Sequence, residues 1–147
     1  MADYDRDGLQ YDHDYFGPDG NVSQIRCTLD ITAARAANDV EYLMKLPNGV
    51  LVFRVEMLIR NAVSGDNVDI GTRQKGEGTW TDDDDYFFDG QSIAANGIQD
   101  SIGRRHHEAL EITEDEVYLV QKYNTAKANN QRFTADYYIW YEAIGNR

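Results

Sequence analysis

The chain has 147 residues, 26 acidic against 14 basic, for a formal net charge of −12 and a pI near 4.5. One domain of this length buries about 68–70% of the surface its unfolded chain exposes, so it needs no staples, and its single cysteine, Cys27, excludes an internal disulfide and fits a reducing compartment. The acidity argues against nucleic-acid binding, which draws on Lys and Arg for phosphate contacts, and the longest apolar-leaning run, VLVFRVEMLI, is too short and too charged to cross a bilayer.

Residues 1–21 read as an arm and residues 22–147 as the folded domain. Asp3, Asp5, Asp7, Asp12, Asp14 and Asp19 crowd the arm, GPDGN at 17–21 is a turn signal, and no apolar stretch marks a signal peptide. Tyr4, Leu9, Tyr11, Tyr15 and Phe16 are too many large apolar groups for a solvated tail. They are the candidate contacts to a partner, or to the chain's own body. The stretch 3–14, DYDRDGLQYDHD, matches the first half of a calcium loop, with Asp3, Asp5 and Asp7 as ligands and Gly8 at the sharp turn. Gln10 stands where such loops carry an apolar residue, and Asp14 replaces the longer closing Glu. The expectation is an acidic arm with no metal.

From Val22 the hydrophobic period becomes two. Ile25, Cys27, Leu29 and Ile31 alternate with polar neighbours, which predicts a half-buried strand. TAARAAND is a helical turn or a small-residue loop, and Val40, Tyr42, Met44 and Leu46 then predict one face of a second strand. Pro47-Asn48-Gly49 is a turn signal. After it, Leu51, Phe53, Val55, Met57 and Ile59 are expected on one face of the longest strand, with Val52, Arg54, Glu56, Leu58 and Arg60 on the other. NVDIGT predicts a short strand, RQKGEGTWTDDDD a loop, and YFFDGQSIAANG a return to the body. DSIGRRHHEALE, at 100–111, is ambiguous. EVYLVQKYN and RFTADYYIWYEAI predict two strands, joined by TAKANNQ as a hairpin loop. Many short strands separated by turns, with no long helix, predict an all-β fold, an antiparallel β-sandwich of jelly-roll-like type.

The chemistry available is sparse. Four adjacent aspartates, 82–85, repel one another and need solvent or a cation, but a straight strand would point them to alternate sides. The reading is a solvated loop tip. His106 and His107 are adjacent, His13 stands alone, and no metal-ligand spacing accompanies them. There is no G-x-S-x-G, P-loop or dinucleotide fingerprint. Neither catalytic nor cofactor residues are assigned, and no enzyme is expected.

The middle of the chain resembles a family of small tailed-bacteriophage virion proteins. Leu46-Pro47-Asn48-Gly49 leads into a long apolar strand, Asp69-Ile70-Gly71-Thr72 closes the next one, Phe88-Asp89-Gly90 follows a variable loop, and YYIWYE at 137–142 occupies the closing strand. The likeness spans 46–97 and, more loosely, the last strand. Its motifs are structural: Pro47 and Gly49 set a turn, Gly71 of the motif that Asp69 opens ends or bulges a strand, and Asp89 and Gly90 turn the chain back. The resemblance implies a virion component that decorates or cements the head shell on the major capsid protein, or a minor head or tail structural protein, and the net acidity argues for a position on the outside of the head. The resemblance also implies a homo-oligomer, with a trimer as one form, that assembles in the host cytoplasm without nucleic acid, membrane or cofactor. The alternatives are a tail or head–tail adaptor component, a carbohydrate-binding sandwich using Trp80, Tyr86, Trp140 or nearby tyrosines as stacking platforms, and, last, an acidic hydrolase.

Overall fold

The computed structural model describes residues 3–5, 11–13, 22–101 and 108–144, and these form eleven β-strands without a helix. The strands are β1 (Asp3–Asp5), β2 (Tyr11–His13), β3 (Val22–Ile31), β4 (Val40–Lys45), β5 (Val50–Asn61) and β6 (Asn67–Gln74). They continue with β7 (Asp83–Ser92), β8 (Gly97–Asp100), β9 (Leu110–Ile112), β10 (Val117–Tyr123) and β11 (Phe133–Ala143). One sheet has the order β1-β4-β10-β6-β7, and the other β2-β3-β11-β5-β8, with β9 also paired to β5.

Apart from β9, successive strands from β3 to β6 and from β7 to β11 change sheet, and among the described residues of the body only β6 and β7 form a hairpin. The resulting orders, 3-11-5-8 facing 4-10-6-7, make a jelly roll. Side chains from both inner faces interdigitate between the sheets. Ile25, Leu29, Met57, Ile139, Tyr137 and Tyr141 come from one side, and Ile70, Phe87, Phe88, Leu119, Met44 and Tyr123 from the other. Each aliphatic or Phe side chain so buried is worth about 1.5–3 kcal/mol.

The alternation of β3 is as its sequence predicts: Ile25, Cys27, Leu29 and Ile31 are buried, and their neighbours are exposed or half-buried. In β4 and β5 it breaks. Leu119 faces Met44 and Val120 faces Tyr42, so Leu43 is an extra residue, a β-bulge. Val40 and Tyr42 therefore pack with Tyr118 and Val120, apart from the main core that holds Met44 and Leu46. In β5, Trp140 pairs with Arg54 and Tyr141 with Val52, leaving Phe53 as the bulge. Val50 and Val52 are buried with Val55, Met57 and Ile59, while Leu51 and Phe53 are only half-buried. Strict period two was the wrong expectation for both strands, because one inserted residue moves everything beyond it to the opposite face.

Other expectations also change. The segment 124–132 is no hairpin loop; it carries the chain from β10 in one sheet to β11 in the other. Pro47-Asn48-Gly49 does form a turn, and it crosses between sheets from β4 to β5. The strand read at NVDIGT extends to Gln74, and the 100–111 stretch holds the end of β8 and the start of β9. Asp89 and Gly90 do not turn the chain back. Val68 pairs with Gln91 and Ile70 with Phe88, so the two residues oppose Asp69 alone, as a bulge inside β7. Gly90 has φ +70, and its N–H donates to Asp69 Oδ1 at 2.7 Å. Gly71 lies inside β6, where a Cβ would stand 1.9 Å from the carbonyl oxygen of Asp83, so no larger residue fits without moving β7.

The aspartate run is not a loop tip either. Asp83, Asp84 and Asp85 belong to β7, and only Asp82 precedes it. Asp84 makes a forked ion pair with Arg73 on β6, at 2.6 and 2.9 Å. The cross-strand cation supplies the charge that solvent was expected to provide.

Candidate interaction surface

The arm's described strands lie along one edge of the sandwich. β1 runs parallel to β4, pairing Tyr4 with Glu41, and β2 runs antiparallel to β3, pairing Tyr11 with Cys27. Both body sheets are thereby capped at the edges where unpaired backbone would otherwise be exposed. Asp3–Asp5 is extended strand, unlike the opening of a calcium loop. Leu9, Tyr15, Phe16, Asp7, Gly8, Asp14, His106 and His107 lie outside the described residues, and of Tyr11 and His13 only the backbone is described.

Tyr4 marks a feature the sequence does not announce. Its ring lies 3.7 Å from the Arg35 guanidinium. Arg35 Nε in turn donates to Glu41 Oε1 at 2.6 Å, and both side chains of the pair are almost fully buried, with exposures of 6% and 0%. The Tyr123 hydroxyl donates to the same oxygen at 3.3 Å, and the Tyr137 hydroxyl donates to Gln121 Oε1. Burial, with the Glu41 charge as a further cause, pushes both phenols well above their ordinary range. Lys127 is also buried; its ammonium donates to the carbonyls of Ala33 and Ala128, and burial lowers its pKa. Small residues in TAARAAND let the backbone of Arg35 pair with that of Lys127, with N···O distances of 3.0 and 2.8 Å. The end of the sandwich beneath the arm is thus polar, with Tyr4 over its cation and with Glu41 Oε2 and Gln121 Nε2 buried without a hydrogen-bond partner among the described residues.

A cleft of about 450 Å³ opens at a second place, where the β6–β7 hairpin of one sheet meets β9 of the other. Trp80, Tyr86 and Leu110 supply its apolar lining, and Asp82, Asp83, Glu111 and Glu114 its carboxylates. The aromatic groups are held in place. Trp80 Nε1 donates to Thr72 Oγ1 at 3.2 Å and its backbone N–H to Gln74 Oε1 at 3.1 Å, while the Tyr86 hydroxyl donates to the Glu108 carbonyl at 3.1 Å. Glu114 ties the two walls together by accepting from Thr79 N and Thr79 Oγ1, at 3.1 and 3.0 Å. Those bonds, the backbone one foremost, hold its carboxyl below the ordinary range. Asp82 accepts from the Gln74 N–H at 2.9 Å, and Asp83 from the Asp85 N–H at 3.3 Å.

Trp140 is not part of that cleft. It lies on β11, tilted against Tyr138 with centroids 6.2 Å apart, and the Arg54 guanidinium stands 4.5 Å from its ring. Arg54 also bonds Asp100 and Glu56. Of the aromatic residues a carbohydrate binder could stack on, Trp80 and Tyr86 share a cleft, and Trp140 does not join them. Among the described residues no three or more His, Cys, Asp or Glu side chains form a group able to hold a metal ion.

No protein-family model and no curated protein matches the sequence. Solved structures do. A chain in the cyanophage Pam1 capsid asymmetric unit superimposes with a TM-score of 0.62 at 15% identity, over 88% of this chain and 89% of that one. A chain in the capsid of Ralstonia phage GP4 gives 0.60 at 18% identity, over 96% and 97%. One in the acidic stable capsid structure of Helicobacter pylori bacteriophage KHP30 gives 0.51 at 16% identity, over 90% and 91%. The nearly equal coverages mean that each matched chain is about as long as this one, so the likeness is to a whole small chain and not to a domain inside a larger protein. This chain has the fold of a similarly sized chain in each of three bacteriophage capsids.

Proposed function

We propose that the protein is a non-enzymatic structural component of a bacteriophage virion, a decoration or cement protein that binds the outer surface of the head shell. The observation that carries this is the end-to-end likeness to small chains from three phage capsids. Those structures are of capsids, which favours the head over a tail or adaptor position. The net charge of −12 favours an outer position, away from packaged DNA.

The partner in this reading is the major capsid protein, and the chain acts as a homo-oligomer, with a trimer as the first form to test. The arm, 1–21, works as the attachment device of the 22–147 sandwich. Leu9, Tyr11, Tyr15 and Phe16 supply its apolar anchors, since aromatic groups dominate interface energetics and charges mainly set specificity and on-rate. Tyr4 has a second role, tying the first strand of the arm to the body through Arg35.

Sedimentation with undecorated capsids of the same phage tests this. Full-length protein saturates the shell, and a variant lacking residues 1–17 stays folded but binds at least tenfold more weakly. Full-length protein that fails to cosediment refutes the decoration reading. A truncated variant that binds like the full chain moves the contact from the arm to the sheets or loops.

A further inference from the structure

We propose that the cleft between the β6–β7 hairpin and β9 is a binding site for a basic side chain, arginine above all, presented by an extended segment of a partner protein. Elsewhere in this molecule the same ingredients already hold arginine side chains. Arg35 lies between the Tyr4 ring and the Glu41 carboxylate. Arg54 lies against the Trp140 ring and bonds Asp100 and Glu56. In both places an aromatic face and a carboxylate converge, and a guanidinium fills the space. The physics is general: the ring quadrupole attracts a cation, and the carboxylate accepts its N–H donors in a planar fork.

The cleft repeats those ingredients. Trp80 and Tyr86 line it together with Asp82, Asp83 and Glu114, and no Lys or Arg is among its described lining residues. The hydrogen bonds to Asp82, Asp83 and Glu114 come from backbone N–H groups, the Thr79 hydroxyl and the Gln74 amide, all neutral donors. Among the described residues their negative charge is therefore oriented but not matched. The volume, about 450 Å³, falls within the usual range for small-ligand sites and admits a long side chain with flanking backbone. The site is also pre-formed. Trp80 is pinned at two atoms, and Glu114 clamps the hairpin to the segment after β9, so little ordering remains to be done on binding. A neutral sugar would stack on Trp80 as well, but it would leave the carboxylate charge uncompensated. A phosphate or nucleic acid would be repelled.

The site can be read directly, because the chain has two tryptophans. Protein labelled with 5-fluorotryptophan gives two ¹⁹F resonances, and Trp140→Phe assigns them. Titration with tri-arginine at moderate salt should shift the Trp80 resonance saturably and leave that of Trp140 unmoved, while tri-glutamate and a neutral trisaccharide do nothing. Asp82→Asn/Asp83→Asn keeps an oxygen acceptor at each position and removes only charge; it should weaken tri-arginine at least tenfold. Asp89→Asn/Glu142→Gln removes the same charge elsewhere and should change affinity less than twofold. Far-UV circular dichroism spectra and urea midpoints matching those of the unaltered protein establish that the variants are folded.

Three results overturn the proposal. Tri-arginine that does not move Trp80 shows no cation site. Equal weakening by both double variants shows only diffuse attraction to an acidic protein. A neutral trisaccharide that shifts Trp80 saturably in the unaltered protein makes the cleft a carbohydrate site. None of these depends on capsid binding, so the proposal fails or stands apart from the decoration reading.

Discussion

Arg35→Met cuts the link between the arm and the sandwich at one point. Arg35 pairs with Glu41 at 2.6 Å, with the two side chains 6% and 0% exposed. Removing the cation strands a carboxylate inside the protein, and breaking one side of a buried pair costs about 3–5 kcal/mol. Loss of the Tyr4 contact adds about 0.5–1 kcal/mol. For a chain of this size 1 kcal/mol moves the melting midpoint by about 2–4 °C, so a fall of about 10 °C is expected. Arg35→Met/Glu41→Met removes both charges and should recover most of that loss, because a buried pair replaced by apolar groups of similar volume is often neutral in stability. Urea denaturation followed by circular dichroism measures all three proteins. A single variant losing less than 1 kcal/mol, or a double variant no more stable than the single, would refute the account of this end of the sandwich.

Gly71→Ala should cost about 1–3 kcal/mol or more, as overpacking does, since its Cβ would meet the Asp83 carbonyl at 1.9 Å; amide shifts at 83–86 should move with it, and thermal unfolding gives the magnitude. Gly90→Ala meets nothing within 4 Å and keeps φ +70, so only the left-handed backbone cost of about 1–2 kcal/mol applies; a larger loss than at Gly71 would contradict the bulge geometry. The carboxyls of Glu114, Glu116 and Asp30 are each lowered, by the Thr79 backbone bond, the Lys45 bond and the Arg132 bond respectively. A depressed carboxyl stabilises the fold above its unfolded pKa and loses that contribution as pH falls through its folded value, so stability should decline below about pH 4.5. Asp66, raised by burial, acts with the opposite sign and is relieved on acidification. Glu114→Gln should flatten the acid limb of a plot of urea midpoint against pH from 7 to 3, and an unchanged limb would contradict the role given to the hairpin clamp.

The parts of the fold that a period of two can report were legible. β3 buries the face that the alternation at Ile25–Ile31 names, and β11 alternates from Tyr137 to Ala143, while Thr134 and Asp136 on its other face are buried as well. What alternation cannot report is an inserted residue. Leu43 and Phe53 are ordinary apolar residues, and they become bulges only because β10 and β11 pair on either side of them. Crossovers were hidden for a related reason: a turn sequence such as TAKANNQ reads the same whether its strands pair with each other or lie in opposite sheets. The aspartate run was misread because its partner, Arg73, belongs to another strand and is joined to it only by the hairpin. The cleft brings 72–86 together with 110–114 across the mouth of two sheets. The local signal was Trp80 among threonines and acids; the opposite wall was invisible until the sheets were closed.

The central claim is attachment to the outside of a phage head, and cryo-electron microscopy of heads assembled with and without this chain tests it most directly. The account predicts symmetric extra density on the outer surface, of a size to hold the jelly roll, with the β1–β2 edge toward the shell and no such density when the chain is omitted. Identical head surfaces in the two maps, or density confined to the tail, would contradict it.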